Sequence, residues 1–232
     1  MTARPLAESR FLLIGAGGLG GPVAYAMAAA SAGRLVLVDP DLVELSNLQR
    51  QVQYATRDLG RTKVAALADE LVRRGYPASR LELHAERLTD ANAGRLLNDV
   101  DVAVEGSDDP ATKFALNDHA CRLGVRFAIG GVERWQGHVL AVTPGQSGCY
   151  RCLFEAPPAP DQAPSCAALG VVGAAVAVIG GLLAQEALSL AQQASPGPGP
   201  SGQLLVVEDV ASQQPARRVR YNPRIGCPAC PS

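Results

Sequence analysis

The sequence predicts a doubly wound α/β fold with a mainly parallel sheet, helices on both of its faces, and a C-terminal part tied down by a metal site. Three observations support this: a glycine-rich turn between an apolar run and a helix pattern, apolar runs that alternate with helical segments, and two C-x-x-C pairs. Because 232 residues suffice for one large core, we expect a single domain over residues 1–232.

The first half of the chain predicts a βαβ unit that a second helix and strand extend. The apolar run FLLIG at residues 11–15 leads into the helix pattern LGGPVAYAMAAASAG and then the strand LVLVD at residues 35–39. The strand's uninterrupted apolar character is typical of a parallel sheet covered on both faces. Apolar residues recur at helical spacing from Lys63 to Gly75, and a strand follows at residues 81–84.

The second half continues the alternation. We expect a short helix from Thr89 to Leu97, a buried strand at residues 100–106, a helix from about Pro110 to Leu123, and the strands RFAIGG and WQGHVLAV. A flexible Pro-rich loop at about residues 156–165 and a linker at about 195–202 flank a long Ala/Gly/Val helix. The strand LLVVED comes last, before a cysteine-containing tail.

Charge and hydropathy exclude several classes of partner. The formal net charge is -1, from 21 basic and 22 acidic residues, so we expect no nucleic-acid partner and no anionic membrane surface. The N-terminus lacks the features of a signal peptide, which predicts a cytoplasmic location. The uncharged run from Ala167 to Ala184 approaches the length of a membrane span, but its Ala/Gly/Val composition without flanking anchors favours a buried helix.

The glycine-rich turn predicts a nucleotide site. Gly15, Gly17 and Gly20 form G-x-G-x-x-G between a strand and a helix, where the backbone can approach a phosphate at the helix N-terminus. Asp39 ends the next strand, where a carboxylate accepts hydrogen bonds from ribose hydroxyls. This Rossmann-like motif alone also fits a dinucleotide such as NAD, and a glycine turn without any ligand is the structural alternative.

Positively charged and amide side chains after Asp39 favour ATP over a dinucleotide. Asn47, Gln49 and Arg50 lie in the segment DPDLVELSNLQRQ, and Lys63 opens the next helix. Attack on the α-phosphorus of a triphosphate develops charge on the leaving pyrophosphate, which arginine and lysine donors stabilise. We therefore predict that Arg50 and Lys63 bind phosphates and assist catalysis. The alternative is that both are ordinary surface cations.

Two aspartates follow the strand at residues 100–106. Asp108 lies beyond the carboxyl end of a central strand, where α/β sheets bind ligands, and it is a candidate ligand for the Mg²⁺ that accompanies ATP. Asp109 is a second candidate. Asp108, Asp109 and Pro110 are equally typical of the first residues of a helix, so that alternative stays open.

The cysteine pairs predict a structural zinc site. The motifs CYRC and CPAC each supply two thiolates from one tight turn, and four thiolates form a closed tetrahedral shell without an open catalytic position. The proposed ligands are Cys149, Cys152, Cys227 and Cys230. Disulfides are the alternative, which the expected reducing compartment disfavours.

Two further cysteines lie outside this set. Cys121 falls among apolar residues of a predicted helix, so we expect a buried core thiol. Cys166 lies between the Pro-rich loop and the glycine-rich helix, where a helix N-terminus lowers a thiol pKa. Cys166 is therefore a candidate nucleophile or sulfur carrier, with an inert thiol as the alternative.

In this fixed order, GAGGLG, DPDLVELSNLQRQ, Lys63, the SDD at residues 107–109, CYRC and CPAC resemble the MoeB/ThiF/HesA family, bacterial relatives of ubiquitin-activating enzymes. The resemblance covers about Leu6 to Cys230. It implies an ATP-binding domain, usually a homodimer, that adenylates the C-terminal glycine of a small β-grasp carrier, such as the Gly-Gly-ended sulfur carriers of thiamine or molybdopterin synthesis.

The resemblance also implies roles for individual residues. Gly18 and its neighbours would contact ATP, Asp39 the ribose, and Asn47, Arg50 and Lys63 the phosphates. Asp108 would hold Mg²⁺, and the paired cysteines would hold Zn²⁺. The position of Cys166 matches one where some family members carry a cysteine that links covalently to the carrier or handles sulfur.

One departure from the family pattern suggests an alternative function. Family members typically begin with a helix that bears an R-Y-x-R-Q type motif, whose arginine reaches the ATP of the partner subunit. Only 14 residues precede Gly15 here, and neither Arg4 nor Arg10 has the surrounding pattern. A catalytically weak carrier-binding or heterodimer subunit is therefore the main alternative. An NAD-dependent oxidoreductase is a third hypothesis, which rests on the glycine turn and Asp39 only.

Overall fold

The computed structural model describes residues 5–158, 170–193, 201–212 and 216–230. Its strands are β1 Arg10–Ile14, β2 Arg34–Val38, β3 Leu81–His84, β4 Val102–Glu105, β5 Arg126–Glu133, β6 Gln136–Val142, β7 Gln203–Val207 and β8 Ala216–Arg220. The helices within these residues are α1 Gly20–Ala29, α2 Lys63–Arg73, α3 Ala93–Leu96, α4 Pro110–Leu123, α5 Tyr150–Leu153 and α6 Gly173–Gln192.

All eight strands form one sheet in the order β3-β2-β1-β4-β5-β6-β7-β8. The five strands from β3 to β5 pair in parallel, and β6, β7 and β8 extend the sheet by antiparallel pairing. Chain order reverses between β1 and β4, and their carboxyl ends therefore border the crevice where α/β sheets bind ligands. The predicted doubly wound fold is confirmed.

Two apolar layers cover the two faces of the sheet. Phe11 and Leu13 of β1 belong to a core shared with α1, α2 and α6, whereas Leu12 and Ile14 belong to a core shared with α3, α4 and the cysteine pairs. Successive strand residues point to opposite faces, so a strand buried on both sides needs a continuous apolar sequence. The central parallel strands β1, β2 and β4 were predictable for this reason.

The long Ala/Gly/Val helix is α6, which begins at Gly173 in the described chain. It is long and apolar enough to cross a membrane, but 56% of its most apolar window is buried inside the fold. It packs against α1, β5 and β6 with a buried face that combines small residues such as Gly180 and Ala184 with larger ones such as Ile179 and Leu183. A side chain at Gly180 would place its Cβ 3.0 Å from the carbonyl oxygen of Leu19, so glycine permits this close helix contact.

Three sequence predictions need correction or stay untested. β8 was missed, because ARRVR has no apolar alternation and becomes a strand by pairing with β7. The helix predicted from Thr89 shortens to α3, because the Asn92 side chain accepts the Thr89 amide at 2.8 Å and holds a turn before it. Most of the predicted Pro-rich loop and linker lies outside the described residues, at 159–169 and 194–200.

Candidate active site

A cleft of about 1030 Å³ opens at the carboxyl ends of β1, β2 and β4. Such a volume can enclose a nucleotide. Among the sequence-predicted residues, Gly20 does not line the cleft, and Cys166 lies outside the described chain. The predicted residues that do line it are Gly15, Gly17, Gly18, Asp39, Asn47, Gln49, Arg50, Lys63, Asp108 and Asp109.

The glycine turn leaves its backbone open toward this cleft. Gly15 has φ +87°, and a Cβ there would lie 2.7 Å from the amide nitrogen of Ser107. A Cβ on Gly20 would lie 1.8 Å from the Gly15 carbonyl oxygen, so Gly20 permits close packing of helix on strand. At Gly17, only the amide nitrogen of the Gln51 side chain, at 3.4 Å, lies within reach of an added Cβ. The amides of Gly15 and Ala16 donate to Val38 and Asp39, so the turn can present the backbone N–H groups that follow Ala16 to an anion.

Two side chains that the sequence analysis missed hold the glycine turn in place. Gln53 donates to the carbonyl oxygens of Ala16 and Gly17 at 2.9 and 2.8 Å. The Tyr54 hydroxyl lies 2.7 Å from the Ala16 carbonyl oxygen and 3.1 Å from that of Lys63. Burial raises the pKa of Tyr54, which keeps its hydroxyl a neutral donor. The turn is thus rigid before any ligand binds.

Asp39 lies at the end of β2 and faces the cleft. Its two carboxylate oxygens accept the amides of Ala16 and Asp41 at 2.7 and 2.8 Å. Burial raises the pKa of Asp39, while the nearby charge of Lys63 and these two hydrogen bonds act against that rise. Each carboxylate oxygen has a second lone pair, so Asp39 can still accept a ribose hydroxyl.

Lys63 is the first residue of α2 and is almost fully buried. Its ammonium group lies 2.7 Å from a carboxylate oxygen of Asp41, whose side chain is 56% exposed. An ammonium group has three donors, and within the described residues this is the one acceptor found for it. Lys63 therefore keeps donors that can bind a phosphate.

Arg50 and Asn47 lie together on the same side of the cleft. The Arg50 guanidinium donates to the Asn47 side-chain oxygen at 2.7 Å and to the Ser46 carbonyl at 3.4 Å. Gln49 is exposed, and its own carbonyl packs against Gly173 at the start of α6, where a Cβ would lie 2.9 Å away. Two of the predicted phosphate-binding side chains, those of Asn47 and Arg50, are thus adjacent to each other.

Asp108 and Asp109 differ in their surroundings. Asp109 caps α4: its carboxylate accepts the Thr112 amide at 3.2 Å and the Thr112 hydroxyl at 2.6 Å, and pairs with Arg87 at 2.9 Å. Although burial opposes the change, these partners lower the pKa of Asp109. Asp108 is exposed in the cleft, and no partner for its carboxylate occurs in the described part of the chain. The helix-start interpretation is thus confirmed for Asp109, whereas a Mg²⁺-binding role of Asp108 stays a prediction.

A buried ion pair that was not predicted from the sequence lies at this edge of the sheet. Glu105, the last residue of β4, is fully buried and pairs with Lys113 of α4, which lines the cleft. His138 of β6 lies nearby against the ring of Phe154, with a centroid distance of 5.8 Å. Burial, and secondarily the charge of Lys113, lowers the pKa of His138 to about 4, so its ring is neutral at pH 7.

The four paired cysteines come together on the α4 side of the sheet. All their sulfur atoms lie within 4.8 Å of one another. Three of the Sγ–Sγ distances are 3.9 Å for Cys149–Cys152, 3.6 Å for Cys149–Cys227 and 3.3 Å for Cys152–Cys230. Tetrahedral zinc with sulfur at ~2.3 Å requires about 3.8 Å between thiolates. The arrangement thus has the size of a four-thiolate metal site.

Cys121 packs against the apolar core on the α4 side of the sheet, as predicted for a core thiol, although it is only partly buried. Its hydrogen bond to Cys149 lowers the pKa of Cys149 to about 4. Arg10 also lies elsewhere than the cleft: it begins β1 at the amino end of the sheet and pairs with Glu82 at 3.1 Å. Arg4 lies outside the described residues.

Comparison with known proteins gives concordant matches over nearly the whole chain. The chain is 39% identical over 230 residues to the "Sulfur carrier protein adenylyltransferase" of Thermus thermophilus, covering 97% of this chain and 83% of that protein. It is 36% identical to the "SAMP-activating enzyme E1" of Haloferax volcanii, covering 97% and 81% respectively.

Among solved structures, the fold resembles that of E. coli MccB crystallised with ATP. The TM-score is 0.75 at 20% identity, covering 97% of this chain and 68% of that one, and the likeness concerns the fold alone. The sequence profile of the ThiF family matches residues 3–229. With this match and these relatives, the chain belongs to the ThiF family.

Proposed function

We propose that this chain activates the C-terminal glycine carboxylate of a small sulfur-carrier or ubiquitin-like protein with Mg-ATP, giving an acyl-adenylate and pyrophosphate. The relatives named adenylyltransferases support an ATP-dependent nucleotidyltransferase. The observation that carries the proposal is one cleft whose lining combines an open glycine turn with the cations Lys63 and Arg50 and the carboxylate of Asp108.

The chemistry follows from these positions. A carboxylate oxygen of the carrier attacks the α-phosphorus of ATP, the bond from that phosphorus to the β-phosphate oxygen breaks, and pyrophosphate leaves. Lys63, Arg50 and Asn47 supply donors to the phosphates, and Asp39 accepts a ribose hydroxyl. Asp108 would hold Mg²⁺, which when bound neutralises part of the phosphate charge.

We assign a structural role to the cysteine cluster. Its four thiolates suit Zn²⁺ and would leave no open coordination position, so the metal would be structural. Through Cys227 and Cys230 it would tie the C-terminal tail to the α4 side of the sheet. We further propose that residues 1–232 act as one cytoplasmic domain and that the active form is a homodimer, as the family resemblance implies.

Carrier-dependent exchange of labelled pyrophosphate into ATP tests the proposal. Purified protein with Mg-ATP and a Gly-Gly-ended β-grasp protein encoded near its gene should catalyse exchange. Asp108→Ala should abolish it while zinc content and the melting temperature stay unchanged. No exchange with any such carrier at saturating Mg-ATP would contradict the proposal, and full activity of Asp108→Ala would remove that residue from the mechanism.

The same assay separates the alternatives. Full turnover by the purified protein alone excludes a catalytically weak subunit that needs a second activating chain. Titration calorimetry with ATP and with NAD tests the oxidoreductase hypothesis, because tight NAD binding without ATP binding is the result that this hypothesis requires.

A further inference from the structure

Lys113 lines the cleft, yet every one of its donors is used inside the protein. Its ammonium group pairs with Glu105 and donates to the carbonyl oxygens of Ser107 and Gly130 at 2.8 and 2.7 Å. An ammonium group has three N–H donors and no acceptor. Lys113 therefore has no donor left for a phosphate unless one of these bonds breaks.

Both members of the Glu105–Lys113 pair hold Ser107 in place. Its amide donates to a Glu105 carboxylate oxygen at 2.8 Å, its hydroxyl bonds to the same oxygen, and its carbonyl accepts from Lys113. Gly15 presses on the other side, where a Cβ would meet the Ser107 amide at 2.7 Å. The backbone of Ser107 is thus held at every polar atom.

Asp108 follows Ser107 directly and receives none of this support on its own side chain. Its carboxylate is exposed in the cleft without a partner in the described chain. The position of that carboxylate is consequently set by the backbone before it, and so by the Glu105–Lys113 pair. A displacement of about 1 Å in a reacting group can cost about 100-fold in rate.

We propose that Lys113, through its bonds to Ser107 and Glu105, is a positioning residue that fixes the Asp108 carboxylate where it meets metal-bound ATP. The inference rests on the proposed function, since it requires that Asp108 contact the metal–nucleotide complex. It assigns Lys113 no contact with ATP itself.

A double-mutant cycle on the full-length protein tests this, with binding of ATP measured by calorimetry in Mn²⁺ and in EDTA. Lys113→Met should weaken Mn·ATP binding about 10- to 100-fold and leave metal-free ATP binding within about twofold. Asp108→Asn should show the same selective loss, and adding Lys113→Met to it should cause no further loss. A residue that only maintains the fold would not discriminate between the two forms of ATP.

Other outcomes separate the two proposals. Equal weakening of both forms of ATP by Lys113→Met, or additive losses in the double variant, overturns this inference alone. Wild-type protein that binds ATP in neither condition overturns the proposed function and this inference with it. If Lys113→Met does not fold, the variant E105L/K113M, which leaves no unpaired buried charge, carries the same cycle and the same expected result.

Discussion

Two lysine–carboxylate pairs border the cleft, and they differ in the exposure of the carboxylate. The lysine side chains are buried almost equally, with 8% exposed for Lys63 and 9% for Lys113. The partner of Lys63, Asp41, is 56% exposed, whereas the partner of Lys113, Glu105, is 0% exposed. Lys63 can turn to a phosphate because water then solvates Asp41. Lys113 cannot turn to a phosphate, because the Glu105 carboxylate would then be a buried charge without water or a cation beside it.

Burial of a cation therefore does not by itself indicate its role. Two properties matter: how many acceptors within the protein already bind the cation's donors, and whether water can solvate its carboxylate partner when the pair separates. By this criterion, we propose that Lys63 serves ligand binding and that Lys113 supports the backbone before Asp108. The following predictions test that assignment.

The largest expected effect is on stability. Lys113→Met leaves the fully buried Glu105 carboxylate without its charge partner and should lower the free energy of unfolding by about 3–5 kcal/mol. The matched variant Lys63→Met leaves only the exposed Asp41 carboxylate unpaired and should cost less than about 1 kcal/mol. Urea denaturation monitored by circular dichroism measures both, and equal losses would erase the distinction between the pairs.

The next effect is on activity. Lys63→Met keeps most of the buried stem but removes the charge, and should lower kcat/KM for ATP in pyrophosphate exchange by about 10²- to 10³-fold. Arg61→Met is the control, because Arg61 carries the same charge two residues away and pairs with Asp58 and Asp69 outside the cleft. Unchanged activity of Lys63→Met would show that its donors do not reach the phosphates.

A smaller effect concerns acid stability on the Lys113 side of the cleft. The pKa of His138 lies at about 4 in the folded chain, because burial and Lys113 disfavour its charged form. In the unfolded chain this histidine has its ordinary pKa of ~6.5, so between pH 4 and ~6.5 the unfolded chain binds more protons than the folded one. The free energy of unfolding therefore decreases as pH falls from ~6.5 toward 4. His138→Gln should flatten this decline by at most about 3 kcal/mol, measured by denaturation at several pH values.

The smallest expected effect is on the pKa of His138, which should respond to Lys113 and not to Lys63. Lys113→Met should raise the pKa of His138 by less than about one unit, because burial, the larger cause, persists. Lys63→Met should leave it unchanged. NMR titration can follow the ring, since the chain has three histidines. Equal shifts in the two variants would contradict the placement of Lys113 beside His138.

Local sequence signals predicted much of the fold and the outline of the site. Lys63 begins a helix whose apolar spacing is visible in the sequence, and the cysteine pairs have short, regular spacing, so both predictions rested on neighbouring residues. The glycine turn was equally local. Cys166 stays an untested candidate, because it lies outside the described residues.

The missed features depend on contacts between distant segments. Lys113 occupies an ordinary helix position in the sequence, and only the folded chain brings it to Glu105 and to the Gly130 carbonyl of β5. Gln53 likewise reaches the glycine turn across 36 and 37 residues. Strand β8 forms because β7 offers a free edge, whatever its own charged sequence prefers.

The partners of helix α6 bear on how the chain is made. The strands and helix on which α6 packs, α1, β4, β5 and β6, all precede it in the sequence. During synthesis, the segment with the most membrane-like hydropathy therefore leaves the ribosome after the surface that will cover it. A circular permutation that placed α6 first would reverse this order and expose the nascent segment to membrane-targeting factors and to aggregation.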